Sequence, residues 1–246
     1  MRFSRFIPGL AGFWVLFTAL IVAPGFQRSA RAVPVTIDSS TMINGYMVVS
    51  DLPSAGGSYI FGSGWNIADL NATFTDTKTV NFTPNTIGDP NPFWYTPSGG
   101  PGATGNKIMA ASLYAEDNSL FGQTVVFEGD VTNFTLVSGW TFSAFVRDYA
   151  SDYSTFVETV VPITGAGSFT ATLATTNDPT RHVWYGLEMI GPCVWITDVA
   201  SKGSVTVTAG TGPSPVPEID PAGMGSVLAL VTGAIGLIER RRQKVA

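Results

Sequence analysis

Between residues 33 and 210, apolar and polar side chains alternate with a period of two. Leu70, Ala72 and Phe74 alternate with Asn71, Thr73 and Thr75, and Trp140, Phe142, Ala144 and Val146 with Thr141, Ser143, Phe145 and Arg147. The same holds for Phe169, Ala171 and Leu173 against Ser168, Thr170 and Thr172, and for Val205 and Val207 against Ser204, Thr206 and Thr208. Successive side chains of a strand point to opposite faces, so the pattern predicts antiparallel strands with one face in a core and one in water. Ten to twelve such runs are separated by turn-forming clusters such as Ser54-Ala55-Gly56-Gly57 and Thr164-Gly165-Ala166-Gly167. No window there keeps a helical period. Many short strands in one domain of this size predict an all-β fold, a two-sheet antiparallel β-sandwich of jelly-roll type.

Two apolar stretches stand outside that pattern. Arg2 and Arg5 precede the apolar run 6–22, and Ala30-Arg31-Ala32 places small residues where a signal peptidase reads. These features predict a signal peptide over 1–32, cleaved after Ala32; an uncleaved anchor is the alternative. At the other end a Pro/Gly linker, 211–217, leads to Glu218 and then to 17 uncharged residues, 222–238. A span of that length is at the short end of what crosses a bilayer, and cations directly after it mark the cytoplasmic side. The stretch therefore predicts a single transmembrane helix with residues 33–210 outside the cytoplasm. A buried C-terminal helix is the competing reading, which Gly223, Gly225, Gly233 and Gly236 disfavour.

The order within 218–246 is a polar signature, an apolar span and a basic stop. With Val216, Pro217, Glu218 and Pro221 ahead of the span and Arg240, Arg241 and Arg242 behind it, it resembles the PEP-CTERM sorting signals of bacteria that carry an exosortase. Ile219 stands where the usual signature has its second proline, which arrives here at Pro221. The resemblance implies export to the cell envelope or extracellular matrix, with an exosortase-type sorting enzyme and signal peptidase as partners. The protein would be anchored in the membrane by the C-terminal helix, or released after processing.

Charge changes once the ends are set aside. Eight of the 13 Lys and Arg lie in the terminal segments but only three of the 18 Asp and Glu, leaving five cations against 15 carboxylates in 33–210. So acidic a domain is not built to neutralise phosphates, which excludes nucleic acid as a partner. Cys193 has no second cysteine to pair with and, inside an apolar run, reads as a small core residue.

The most unusual interior segment is 89–106, 18 residues of turn chemistry around Phe93, Trp94 and Tyr95. Loops of that length are uncommon in compact domains unless they have a role. Two readings remain open here: the aromatics fold back to cap the sandwich, or Trp94 and Tyr95 form a face for stacking on sugar rings.

Trp140-Thr141-Phe142-Ser143-Ala144, followed by Arg147 and Asp148, resembles a strand of galactose-binding-like carbohydrate-binding modules, and Val194-Trp195-Ile196-Thr197-Asp198-Val199 resembles their late strand. The likeness spans roughly 123–208 and implies a galactose-binding-like jelly roll that holds polysaccharide without altering it. On that implication Tyr149, Tyr153 and Arg181 are further ligand-binding candidates beside Trp94 and Tyr95. Trp184 and Tyr185 are weaker ones, Trp184 reading rather as core. Asp198, one aspartate where those modules carry two, is the candidate ligand for a structural calcium ion; no other cofactor is implied.

Catalysis finds little footing. His182 is the only histidine, there is no Gly-x-Ser-x-Gly elbow, and one His with one Cys cannot build a usual zinc site. The reading is a non-catalytic, carbohydrate-binding envelope protein. The alternatives are a purely structural surface protein without ligand and a jelly-roll glycoside hydrolase, which needs only two carboxylates.

Overall fold

The structure is a computed structural model and describes residues 32–210. The predicted signal peptide up to Arg31, the linker 211–217 and the sorting tail 218–246 lie outside the described residues. So do Val216, Pro217, Glu218, Pro221, Arg240, Arg241, Arg242 and the predicted transmembrane helix 222–238. Among the described residues no helix is long and apolar enough to cross a membrane.

Two six-stranded sheets enclose one core. The first sheet holds β1 (Ala32–Thr36), β4 (Ala72–Asp76), β5 (Thr79–Phe82), β9 (Thr124–Phe134), β12 (Gly167–Ala174) and β14 (Val205–Ala209). The second runs in the order β11 (Phe156–Ile163), β10 (Thr141–Tyr149), β13 (His182–Pro192), β8 (Lys107–Glu116), β2 (Asn44–Asp51) and β3 (Tyr59–Trp65). A short ribbon of β6 (Tyr95–Thr96) and β7 (Thr104–Gly105) lies in the long connection before β8. All pairings between strands are antiparallel except that of β1 with β9. There β1 fills the flank of β9 that β14 leaves free, and Gly210 N–H donates to Thr36 Oγ1 across the junction at 3.0 Å.

The core follows the alternation. Phe142, Ala144 and Val146 of β10 turn inward, as do Phe169 and Ala171 of β12 and Val205 and Val207 of β14, and all seven are buried. The two sheets meet through Phe82 against Phe142 (5.1 Å between ring centres) and Phe127 against Tyr185 (5.5 Å). Each buried ring of this kind removes enough apolar surface from water to contribute about 1.5–3 kcal/mol. Cys193 is buried in the same core.

Three local expectations fail for visible reasons. The run around Leu70 is not one strand: Ile67–Leu70 is a 3-10 turn ended by Asn71 in the left-handed region (φ 52°), and β4 begins only at Ala72. The segment likened to a late strand is not one either. Val194 makes a single bridge to Thr86, after which Ile196–Lys202 forms a 3-10 helix. Finally Phe145, on the predicted wet face of β10, is fully buried. Something covers the outer side of the second sheet.

Beneath that outer side lies an ion pair. Asp148 is wholly buried; its Oδ1 accepts from Arg181 Nε at 2.6 Å and its Oδ2 from the Thr176 N–H at 2.8 Å. Arg181 also donates through Nη2 to the Asp148 carbonyl at 2.6 Å. Removing one member of a buried pair strands the other charge, at a cost of about 3–5 kcal/mol. Arg181→Leu should therefore lower unfolding stability by that amount in urea titration; a loss below about 1 kcal/mol would show that the pair is not structural.

Candidate functional site: an aromatic face on the second sheet

Strand β13 carries His182-Val183-Trp184-Tyr185-Gly186-Leu187-Glu188, apolar on both faces. The pleat sends Val183, Tyr185 and Leu187 into the core and Trp184, Gly186 and Glu188 outward. Register then sets their outer neighbours. Trp184 lies between Arg147 and Glu116, Gly186 between Phe145 and Tyr114, and Glu188 between Ser143 and Ser112. Gly186 is there for space: a Cβ would collide with the Leu113 carbonyl and press on Tyr114. The bare backbone lets Tyr114 lie across β13 and stack on Trp184, ring centres 3.9 Å apart and planes 19° apart.

A second layer of rings covers this pair. Tyr149 approaches Trp184 to 4.6 Å and Tyr46 to 6.3 Å, and Phe156 packs on Tyr149 at 5.0 Å. Tyr153 comes from the tip of the β10–β11 hairpin, stacks on His182 at 4.3 Å and reaches within 5.8 Å of Trp184. To do so it adopts φ 58°, a left-handed conformation that costs a non-glycine residue about 1 kcal/mol. Trp184 is left 8% exposed, whereas Tyr153 and Phe156 keep 44% and 49% of their surface in solvent. Trp184 Nε1 is buried with no hydrogen-bond partner among the described residues, and an orphaned donor of this kind costs about 1–3 kcal/mol.

A polar strip borders the rings. The Arg147 guanidinium lies 4.0 Å over the Phe145 ring and bonds Glu158 through Nε (2.8 Å) and Glu188 through Nη1 and Nη2 (3.2 and 3.3 Å). Ser112 Oγ donates to Glu188 at 2.7 Å. Burial works against the Arg147 charge, but the two carboxylates outweigh it and raise its pKa above the usual value. At the hairpin end, His182 Nδ1 stands 2.7 Å from Glu116 Oε1, to which the Tyr153 hydroxyl donates at 3.3 Å.

Of the residues singled out from the sequence, Tyr149 and Tyr153 meet in this face. Trp184, read there as core, is indeed buried, but in the outer cluster with Tyr114 and Phe145 that underlies this face, while Tyr185 faces the interior. Arg181 is turned toward Asp148, on which it spends Nε and Nη2, and does not join the aromatic face. Tyr95 is wholly buried, its hydroxyl bonded to the Ile87 N–H and carbonyl and to the Val194 carbonyl, so it supplies no platform. Trp94 is half-buried, flanked edge-on by Phe61 and Phe93. The 89–106 loop thus caps the sandwich. Asp198 spends its carboxylate on the Gly102 N–H (2.6 Å) and the Thr197 hydroxyl (3.1 Å), and among the described residues no group of three His, Cys, Asp or Glu is placed to hold a metal ion.

Tyr46, Tyr114 and Phe156 went unnoticed in the sequence because they are scattered over three strands. The available signal was the adjacency of Trp184 and Tyr185: two bulky rings in succession on a strand must face opposite ways.

No known protein family matches the chain, and no curated protein matches it. Among solved structures, a protein from work on promiscuous specificity in carbohydrate-binding modules of the β-sandwich superfamily aligns with 67% of this chain and 70% of its own. Identity is 13% and the TM-score 0.30, a likeness too distant to bear on ligand or function.

Burial raises the hydroxyl pKa of Tyr114, Tyr149 and Tyr153, with the Glu116 charge adding to it at Tyr114 and Tyr153, and burial pushes Tyr95 up to about 12. The folded protein keeps protons that the unfolded chain, with tyrosines near pKa 10, gives up. Stability from these groups is thus complete below about pH 10 and declines as pH rises toward about 12. Thermal midpoints should fall across that window, together with delayed tyrosinate absorbance; a midpoint flat to pH 12 would contradict it.

Proposed function

We propose that this chain is an exported, membrane-sorted envelope or matrix protein whose β-sandwich binds carbohydrate on the outer face of the second sheet, without catalysis. The observation that carries the reading is the two-layered aromatic face. Tyr153, Tyr149 and Tyr46 rest on Trp184 of the stacked Trp184–Tyr114 pair, Phe156 packs on Tyr149, and Tyr153 and Phe156 are exposed. Aromatic faces offer the apolar C–H faces of sugars a flat surface, and the polar edges of the same rings meet hydroxyls. A bordering strip of carboxylates, an arginine and a serine supplies fixed donors and acceptors, as ligand sites require.

The carboxylates of the face are each engaged by neighbouring side chains, which fixes them as acceptors at its border. Glu158 and Glu188 are held by Arg147, and Glu116 by His182 and Tyr153. Export and sorting rest on the two terminal segments read from the sequence.

The reading is tested by affinity electrophoresis of the full-length protein through gels containing soluble neutral polysaccharides: a β-glucan, a xylan and a galactomannan. One of them should retard the protein, and Tyr153→Ala and Phe156→Ala should each weaken retention at least about tenfold, on the scale of a lost aromatic stacking contact. Trp94→Ala should leave it unchanged. Retention by none of the three would leave a surface protein without a glycan ligand, and loss only on Trp94→Ala would move the site to the loop.

A further inference from the structure

The aromatic face does not end at Tyr114. Asn44, at the start of β2, pairs with Tyr114 across β8, and both line a cleft of about 800 Å³. Its other walls are the end of β3 with Trp65, the 3-10 turn Ile67–Leu70 and the strip 86–88. The volume is in the range of sites that enclose most of a small ligand. Ile43 stands at the rim, 64% exposed.

Three features of the lining describe what would fit. First, it is rich in side-chain amides. Asn66 Nδ2 is committed to Asp69 at 3.1 Å and Asn71 Nδ2 to the Pro84 carbonyl at 2.7 Å, which fixes both side chains and leaves their amide oxygens as acceptors. Second, Asp69 is the only ionisable carboxylate or base of the lining, and the adjoining face holds Glu116, Glu158 and Glu188 against Arg147. Anionic chains meet like charge on both parts. Third, glycine keeps the cleft open. Gly64 is in the interior of β3, where glycine weakens a strand. A Cβ on Gly64 would meet only the Gly45 carbonyl at 3.9 Å, and one on Gly88 nothing within 4 Å.

We infer that the cleft is a second subsite of the same binding surface, and that the protein recognises a run of an uncharged polysaccharide chain crossing from the aromatic face over Tyr114 into the cleft. The inference rests on the carbohydrate reading above and extends it. From β10 to β3 the sheet spans four strand spacings, roughly 19 Å, which suits an oligosaccharide rather than a single sugar.

The test is calorimetric titration of the full-length protein with a short and a long oligosaccharide cut from whichever of the β-glucan, xylan and galactomannan retards it most. Wild type should bind the long oligosaccharide at least about tenfold more tightly than the disaccharide. Gly64→Leu, whose Cβ meets only the Gly45 carbonyl at 3.9 Å and whose side chain narrows the cleft, should remove that advantage and leave disaccharide affinity and thermal midpoint as in wild type. Gly88→Leu serves as the second variant should Gly64→Leu lower the midpoint. Tyr153→Ala should weaken both ligands. Unchanged long-chain affinity in both leucine variants, with loss in Tyr153→Ala, would overturn the cleft and spare the aromatic face. Binding of alginate as tight as that of the neutral chain would overturn the exclusion of anionic chains. Binding of no probe would remove both sites.

Discussion

A strand cannot place two neighbouring side chains on one face, and in this protein that constraint falls on Trp184 and Tyr185. Tyr185 closes the core against Phe127, so Trp184 is forced outward on a central strand of the second sheet. A bare indole there would expose a large apolar surface to water. Tyr114, Tyr149, Tyr46 and Tyr153 converge to cover it, and the cover is itself aromatic. The outer surface of the sandwich thereby becomes a two-layered platform, with its polar strip and its cleft arranged around one ring.

The inner and outer sides of β10 and β13 reinforce each other at the hairpin end. Asp148 and Arg181 form the buried pair on the inside, while Tyr149 and His182, next to them in sequence and paired with each other, face out. Tyr153 stacks on His182 and bonds Glu116, in a left-handed conformation that only such support sustains. Loss of the inner pair would loosen the hairpin that carries Tyr153. The core thus acts on the site through position, without any contact between Arg181 and a ligand.

The fold class was legible because alternation is a property of each strand alone. Phe142, Ala144 and Val146, or Phe169 and Ala171, announce their inward faces without knowledge of their neighbours. The site was legible only in part because it belongs to register. Tyr149 and Tyr153 stood out through their place after a motif, but Tyr46 and Tyr114 join them only once β2, β8 and β13 are paired. Trp184 is buried as its apolar run suggests, but that run hides which side of the sheet it is buried on. The 89–106 loop misled in the opposite way. Its aromatics are conspicuous in sequence, yet Tyr95 is drawn inside by three hydrogen bonds of its hydroxyl, a demand that composition does not reveal. The motif around Asp198 was given the wrong element, since Ile196–Lys202 is a 3-10 helix in place of a strand.

Nuclear magnetic resonance of the indole N–H groups tests the central claim most directly. The Trp184 indole has no hydrogen-bond partner among the described residues and lies against the rings of Tyr149 and Tyr153, so a ligand that stacks on the aromatic face changes its surroundings. On addition of the neutral polysaccharide that retards the protein most, the Trp184 signal should shift, with that of Trp65 following where the chain enters the cleft. Trp94, Trp140 and Trp195 should stay in place. A shift confined to Trp94, with Trp184 unmoved at saturation, would contradict the account.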